Sequence, residues 1–389
     1  MAAKRKLNAK INGNEYYRIR VTVGTDSEGK PIRKNFYGKG KTDAEKQRDE
    51  YLKLLEQGVN PDLAEQPLKD AMYSWLWNIK KHSGIKSNTF SRYEGIYRNY
   101  IEESSIGKIK LIELKKIPIQ KYYKDLLDDG KSHSVVKNIN KLLKAFLNYA
   151  VEESYILKNP VIGLKLPKKD ERAIKENNSK IETFTTKEIN KLIKSIGHKK
   201  LKYIVLFAFY TGARKGEILA LKKSDINDGY VNINKQIGLT KVFDSEEEYS
   251  YEYRITRPKS KTSNRKIPLP DPLIKELKKL DRLTKEEKLR LGPAYEDNNL
   301  LFPSLTGTYI NDRNLSRSWE RALESAGIKY RKFHCLRHTY VTLLLEKGAP
   351  MIEVSRLAGH SSVAITQVYA HPSLEAKKKT ISKLNDVLS

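Results

Sequence analysis

A fifteen-residue stretch near the middle of the chain, LPKKDERAIKENNSK (Leu166 to Lys180), has no apolar periodicity and is dense in charged side chains. Such a stretch cannot bury enough apolar surface to join a core, and it is typical of a linker between domains. The chain has 389 residues, which is enough for two or three domains with separate cores. We therefore predict a multidomain protein with a linker at 167–180.

The N-terminal part is predicted to be a small α+β domain. Glu15 to Gly24 alternates apolar and polar side chains, and IRKNFYG follows a turn as the return strand of a β-hairpin. Thr42, with a glutamate three residues later, predicts the cap of a helix. Arg18 and Arg20 lie on the polar strand face, and a basic hairpin backed by a helix can bind in a DNA groove. An ordinary small domain would explain the same pattern.

From Leu68 to about Asn159 every apolar pattern has helical spacing, so this part is predicted to be an all-α bundle. Lys137 and Lys141 alternate with core positions of its longest helix and give the bundle a basic face. These lysines would contact either solvent or phosphates. The third part of the chain mixes helical patterns with strand-like segments such as GYVNINKQI, which predicts a mainly helical domain with a small sheet.

The charge of the chain favours a polyanionic partner. Seventy-five Lys and Arg residues oppose forty-seven Asp and Glu residues, a formal net charge of +28 that is spread over all three parts. A basic surface of this extent favours nucleic acid, although a solvated lysine-rich surface would give the same count.

A single cysteine, Cys335, excludes an internal disulfide and a cysteine-based zinc site, and it suits a reducing cytoplasm. No run of eighteen apolar residues and no apolar signal region are present, so we expect neither export nor membrane insertion.

Four short motifs of the third part contain reactive side chains. In YTGARKGEILAL, Arg214 stands at a predicted helix start, where backbone N–H groups favour a phosphate. Arg214 and Glu217 could equally be a structural ion pair. In RPKSKTSNRKIPL, Lys259 and Lys261 lie near the turn of a hairpin that could enter a groove, and Arg265 follows them; a solvated turn is the simpler explanation.

The third motif, FHCLRHTYVTLLLEKG, places His334 and Arg337 on one helical face. His338 is four residues from His334, so a metal-binding pair must be considered. No acidic or cysteine cluster completes such a site, and we therefore predict no metal and no cofactor.

The fourth motif, LAGHSSVAITQVYAH, contains His360 and Tyr369. In one continuous helix these residues would lie about 13 Å apart along the axis. Gly359 is predicted to end a helix and a serine to start the next one. This break would let His360 approach the tyrosine.

Together these motifs, TGARxxEI, HCLRH, LAGH and a tyrosine nine residues after the last histidine, closely resemble those of the tyrosine recombinases. That family includes phage lambda integrase and the bacterial chromosome-dimer resolvases. The resemblance spans nearly the whole chain and is nearest to integrases of conjugative transposons and temperate phages of Gram-positive bacteria. It implies a site-specific recombinase; a type IB topoisomerase and a non-catalytic DNA-binding regulator are the alternatives.

The resemblance implies an arm-type DNA-binding domain at 1–62, a SAM-like core-binding bundle at 63–166 and a catalytic domain at 181–389 with a C-terminal exchange helix. It also implies roles for six side chains. Tyr369 would be the nucleophile that forms a 3′-phosphotyrosyl link, and Lys261 the general acid, with Lys259 as its rival. Arg214 and Arg337 would clamp the phosphate, and His360 would form a hydrogen bond with a phosphate oxygen. His334 would act as an acid or base or would orient the phosphate.

The partners implied are double-stranded DNA at core and arm sites, three further copies of the chain in a tetramer, and in some reactions an excisionase and a host DNA-bending protein. We expect a cytoplasmic, nucleoid-associated enzyme. The DNA-contacting set predicted from the basic segments is Arg18, Arg20, Lys34, Lys137, Lys141, Lys259 and Arg265.

Overall fold

The computed structural model describes residues 8–25, 27–167, 182–196, 199–256 and 264–369. These residues form two compact units, one holding the described residues up to 167 together with Val242–Tyr249 and the other holding the rest. The predicted linker lies outside the described residues except for Pro167. The predicted boundary at residue 62, inside the first unit, stays a prediction.

The first unit begins with an antiparallel sheet backed by a helix. Strands β1 (Ala9–Ile11), β2 (Asn14–Thr25) and β3 (Pro31–Gly38) pair in that order, and helix α1 (Lys41–Glu56) packs on one face. The hairpin and helix were predicted, whereas β1 was not. The predicted cap at Thr42 is wrong, because α1 begins two residues earlier than that cap requires, with Gly40 at its cap and no side-chain hydrogen bond there.

The two faces of this sheet differ in charge. Arg18 and Arg20 are exposed, as the alternation predicted. Lys34, however, lies on the same strand face as the buried Phe36, and it forms an ion pair with Asp62. Its neighbour Arg33 is exposed beside Thr22, on the face of Arg18 and Arg20. Lys34 is therefore ion-paired on the face of the sheet that carries Phe36, whereas Arg33 lies on the exposed basic face. The two-residue spacing of Lys34 from Phe36 is the sequence feature that indicates this.

The rest of the first unit is a helical bundle. Its helices are α2 (Pro61–Ala64), α3 (Leu68–Ser74), which continues as a π-helix (Trp75–Lys80), α4 (Ser87–Tyr100), α5 (Lys116–Asp128) and α6 (His133–Glu152). The side chain of Ser132 caps α6. Apolar side chains at helical spacing on α6, such as Ile139 and Phe146, are completely buried. Lys137 and Lys141 are exposed on the opposite side of α6, as the pattern predicted.

The second unit packs eight helices and a small sheet around a main apolar core. The helices are α7 (Thr186–Ser195), α8 (Lys199–Thr211), α9 (Lys215–Leu219), α10 (Asp271–Leu291), α11 (Asp312–Ser325), α12 (Cys335–Glu346), α13 (Met351–Ala358) and α14 (Val363–Gln367), counted over the described ranges. A smaller apolar cluster lies between α12 and α13. Strands β4 (Ile226–Asn227), β5 (Tyr230–Ile233) and β8 (Arg265–Pro268) form an antiparallel sheet. Strands β6 (Gln236–Phe243) and β7 (Tyr249–Thr256) pair separately, and their adjoining ends, within Val242–Tyr249, are counted in the first unit. Thr185 caps α7 with Glu188 in a capping box.

The mixed, helix-rich architecture with a small sheet agrees with the predicted fold class in outline. Within the part of the chain that the structure describes, no helix combines the length and the apolar character that crossing a bilayer would require.

We expect Ile139→Ala to lower the free energy of unfolding by about 2–5 kcal/mol, because it leaves a cavity at a completely buried position of α6. Calorimetric unfolding of the full chain measures the effect. Lys137→Ala, on the exposed side of the same helix, is the control and should stay within about 0.5 kcal/mol of the parent. Equal losses from the two variants would contradict the assignment of core and surface.

Candidate active site

Arg214 stands where helices α8 and α9 meet. The chain turns at Gly212, whose φ of 60° is left-handed and whose missing side chain leaves room for the Tyr340 ring. Arg214 is the N-cap of α9, and its backbone N–H donates to the Glu217 carboxylate at 2.8 Å. Its guanidinium donates to the same carboxylate at 2.8 Å and to the Gly359 carbonyl at 3.0 Å. The ion pair with Glu217 therefore exists, and it also positions Arg214.

Arg337 lies on α12, whose N-cap is His334. Only 3% of its surface is exposed, and Nη1 donates to the Gly212 carbonyl at 2.8 Å. Nη2 is buried and has no hydrogen-bond partner among the described residues. Burial and repulsion from Arg214 and Arg265 lower the pKa of Arg337 to about 9, so it remains a cation at neutral pH. A buried cation with an unused donor is suited to bind an anion.

His360 and Tyr369 lie together, as the predicted helix break requires. Gly359 ends α13 in the left-handed conformation with φ 68°. His360 is buried, its Nδ1 lies 2.7 Å from Oγ1 of Thr366, and its ring stacks on that of Tyr369 with centroids 6.1 Å apart. The prediction that the break brings these two residues together is confirmed.

The tyrosine hydroxyl has a partner that the sequence reasoning missed. Oη of Tyr369 lies 2.7 Å from Nδ1 of His338, and the two rings stack with centroids 5.5 Å apart. From the sequence, His338 is expected only as half of a metal pair with His334. Within the described ranges no third metal-ligating side chain joins those histidines. His338 lies four residues after His334 and directly after Arg337. This spacing is the sequence feature that indicates a place in the site.

The titratable side chains of this pocket are shifted toward their neutral forms. The ring of His334 keeps an exposed edge, and its partial desolvation, assisted by the neighbouring His338 and Arg337, lowers its pKa to about 4. Burial, together with Arg337 and Arg214, lowers the pKa of His360 to about 4. Burial raises the pKa of the Tyr369 phenol, while the charge of Arg337 acts in the opposite direction. At neutral pH the histidines are therefore uncharged.

Arg265 lies in a different environment from the one expected. Its guanidinium is buried, donates to the Glu217 carboxylate at 2.9 Å and donates to the Leu357 carbonyl at 2.7 Å. The expected DNA contact of Arg265 does not fit this environment, because its guanidinium is buried and hydrogen-bonded inside the protein. Lys259 and Lys261 lie outside the described residues, as do His371 and the expected exchange helix.

Three segments distant in sequence thus place two arginines, three histidines and a phenol in one pocket. A model of the phage integrase family matches residues 182–375, and a model of the N-terminal SAM-like domain of phage integrases matches residues 67–127. A protein described as tyrosine recombinase XerC-like, from Caldanaerobacter subterraneus subsp. tengcongensis, is 40% identical over 98% of this chain and 99% of its own. The chain belongs to the phage integrase family of tyrosine recombinases. It is a site-specific DNA recombinase.

More distant relatives agree with this assignment. The recombinase is 27% identical to the ICEBs1 integrase of Bacillus subtilis over 75% of this chain and 74% of that protein. Its fold is similar to the Tn1549 transposon integrase, solved with a circular intermediate DNA, with a TM-score of 0.65 and 17% identity over 82% of this chain and 99% of that one. It is also similar to a lambda integrase tetramer solved on a Holliday junction, with a TM-score of 0.59 and 18% identity over 94% of each chain.

We expect Glu217→Gln to destabilise the second unit by about 3–5 kcal/mol, because it leaves buried arginine charge unmatched. Burial alone would raise the pKa of Glu217, but Arg265 and Arg214 outweigh that effect and lower it. The extra stability of the parent over Glu217→Gln should therefore be fully present above the ordinary pKa of a glutamate. It should be lost as the pH falls through the lower pKa that Glu217 has in the folded protein.

Thermal unfolding measured from pH 7 to pH 3 tests both statements. Glu353→Gln, which removes an exposed ion pair with Arg356, is the matched control and should leave the transition unchanged. A Glu217→Gln variant as stable as the parent at pH 7 would contradict this role of the carboxylate.

Proposed function

We propose that this recombinase cuts and rejoins DNA through a 3′-phosphotyrosyl intermediate on Tyr369, in the integration and excision of a mobile element. The observation that supports the proposal most strongly is the buried Nη2 of Arg337, which has no partner among the described residues, in a pocket that also contains a tyrosine. A phosphodiester supplies the anion for that donor and the electrophile for that tyrosine.

In this proposal two guanidiniums bind the scissile phosphate. Arg214 is 35% exposed at its side chain, enough to reach a ligand while Glu217 holds its other edge. Arg337 approaches from α12, fixed by the Gly212 carbonyl. Arginines keep their charge and match phosphate geometry with paired donors, so they stabilise the additional negative charge of the transition state.

The histidines complete the contacts to phosphate. His360 is held by Thr366, and His334 stands at the start of α12. Both are neutral at pH 7, so each has one donor and one acceptor nitrogen. We assign His360 a hydrogen bond to a phosphate oxygen and His334 the orientation of the phosphate or acid–base assistance.

Departure of the 5′-oxygen requires a proton. We assign that proton to Lys261, with Lys259 as the alternative. A lysine beside a phosphate and partly withdrawn from water can give up its proton during the reaction. The covalent link to tyrosine conserves the phosphodiester energy, so a 5′-hydroxyl of a second strand can reverse the step without ATP or a metal.

The basic surfaces of the first unit support binding to two kinds of DNA segment. We propose that the exposed sheet face with Arg18, Arg20 and Arg33 binds arm DNA. The face of α6 with Lys137 and Lys141 would follow the backbone of core DNA. These assignments correspond to an arm-binding domain at 1–62, a core-binding domain at 63–166 and a catalytic domain at 181–389.

Assembly and location follow from the same chemistry. Exchanging four strands between two duplexes requires four active sites, and lambda integrase has been solved as a tetramer on a Holliday junction. We propose the same assembly here, on DNA of the nucleoid in the cytoplasm, with a C-terminal helix docked on the neighbouring copy. An excisionase and a host DNA-bending protein are proposed partners in excision.

A nicked suicide duplex carrying the junction of the circularised element tests the mechanism. We expect a covalent protein–DNA adduct from the parent and none from Tyr369→Phe, because the nucleophilic oxygen is absent. Lys261→Ala should slow adduct formation by roughly 10²–10⁴-fold. Lys259→Ala is its control and should retain most activity; the reverse order would move the general acid to Lys259. An adduct from Tyr369→Phe would refute the mechanism.

The same assay separates the rival activities. A type IB topoisomerase would relax supercoiled plasmid without the cognate junction and would not recombine it. A non-catalytic regulator would bind the junction and form no adduct. We expect recombination between cognate sites by the parent.

Two adjacent residues test the arm-binding face. We expect Arg33→Ala to weaken binding of arm DNA and to reduce the slope of log affinity against log salt by about one, since one phosphate contact is lost. Lys34→Ala, which faces Asp62, removes the same charge and should leave the slope unchanged. Gel-shift titrations at several salt concentrations measure both slopes. Equal effects would indicate a nonspecific response to net charge.

A further inference from the structure

The hydroxyl of Tyr369 must lose a proton before or during its attack, and one base lies within reach. Oη lies 2.7 Å from Nδ1 of His338, a hydrogen-bond distance, and the stacked rings hold the two side chains in register. The phenol hydroxyl has no second hydrogen-bond partner in the part of the chain that the structure describes. Proton transfer along this bond needs no rearrangement of the pocket.

The surroundings of His338 suit a proton acceptor. Its ring contacts the edge of the His334 ring, with centroids 4.8 Å apart, and it follows Arg337 on the same helix. Burial and the charge of Arg337 lower the pKa of His338, so the imidazole is neutral at pH 7 and Nδ1 is available when the ring proton is on Nε2. A phosphate bound by Arg337 would supply the negative charge that stabilises the imidazolium once it forms.

From this geometry we infer that His338 is a further catalytic residue, the proton acceptor for the nucleophile Tyr369; the inference rests on the proposed function of Tyr369. As the phenol oxygen bonds to phosphorus, its proton moves to Nδ1 of His338. The bond from phosphorus to the 5′-oxygen breaks, and that oxygen takes a proton from the general acid. In the reverse step the incoming 5′-hydroxyl returns its proton to the general acid, and His338 protonates the departing phenolate.

His338 thereby differs from His334 and His360 in the atom with which it interacts. The latter two are assigned to phosphate oxygens, whereas His338 touches the attacking oxygen. Thr366 already occupies Nδ1 of His360, at 2.7 Å. The ring of His334 contacts the ring of His338 edge-on, so His334 helps to hold His338, the proposed base, in position.

The test compares His338→Asn with His338→Ala on the nicked suicide duplex. The amide oxygen of asparagine can accept a hydrogen bond near the position of Nδ1 but is not a base, so it keeps the orientation of the phenol without taking its proton. We expect both variants to form adduct about 10²-fold more slowly than the parent. His82→Asn, an exposed histidine of the first unit, is the matched control and should react at the parent rate.

A second substrate separates a base from an acid. In a duplex with sulfur in place of the bridging 5′-oxygen, the thiolate departs without a proton. Loss of the general acid therefore no longer slows adduct formation on this substrate. Lys261→Ala should regain the parent rate on this substrate, whereas His338→Asn should remain about 10²-fold slow. Junction affinity and thermal stability are measured for every variant, and parental values are expected for His338→Asn.

Three outcomes would overturn the inference: parental rates for both His338→Asn and His338→Ala, a slow His338→Ala with a parental His338→Asn, or rescue of His338→Asn by the sulfur substrate. The second would show that the ring only positions the phenol, and the third that it acts on the leaving group. These failures differ from failure of the proposed function, which an adduct formed by Tyr369→Phe would reveal.

Discussion

Both oxygens of one buried carboxylate, that of Glu217, are used to hold the catalytic pocket together. The carboxylate accepts hydrogen bonds from the guanidiniums of Arg214 and Arg265 and from the backbone N–H of Arg214, with 1% of its side chain exposed. Burying charges costs several kcal/mol each unless they are paired and hydrogen-bonded. The arginines can remain in the interior because this carboxylate lies between them, and the position of Arg214 depends on it.

The pocket nevertheless keeps an excess of positive charge. Three guanidiniums, of Arg214, Arg265 and Arg337, surround a single carboxylate, and burial makes the remaining charge more costly than it would be in water. In the proposed mechanism a phosphodiester supplies the missing negative charge. On that proposal, part of the binding energy for DNA comes from this unbalanced positive charge at the candidate site, in addition to the attraction of the basic surface.

Two glycines make this arrangement geometrically possible. Gly212 and Gly359 both adopt left-handed backbone conformations, and each lies against a large side chain. A Cβ at Gly359 would stand 2.8 Å from Nη1 of Arg265. Arg265 also binds the Leu357 carbonyl, so strand β8 fixes the end of α13 from which His360 emerges. The stretch that contains His360 and Tyr369 is thereby tied to the carboxylate that holds Arg214.

The sequence alone determined the types of residue in the site, the helix break at Gly359 and the exposed basic positions of β2 and α6, because these follow from periodicity and from local backbone preference. Only the tertiary structure decided which side chains meet. It placed Arg265 against Glu217, Lys34 against Asp62 and His338 against Tyr369. Each of these pairs joins segments that are far apart along the chain, and their contacts depend on how helices and strands pack, which local patterns do not specify.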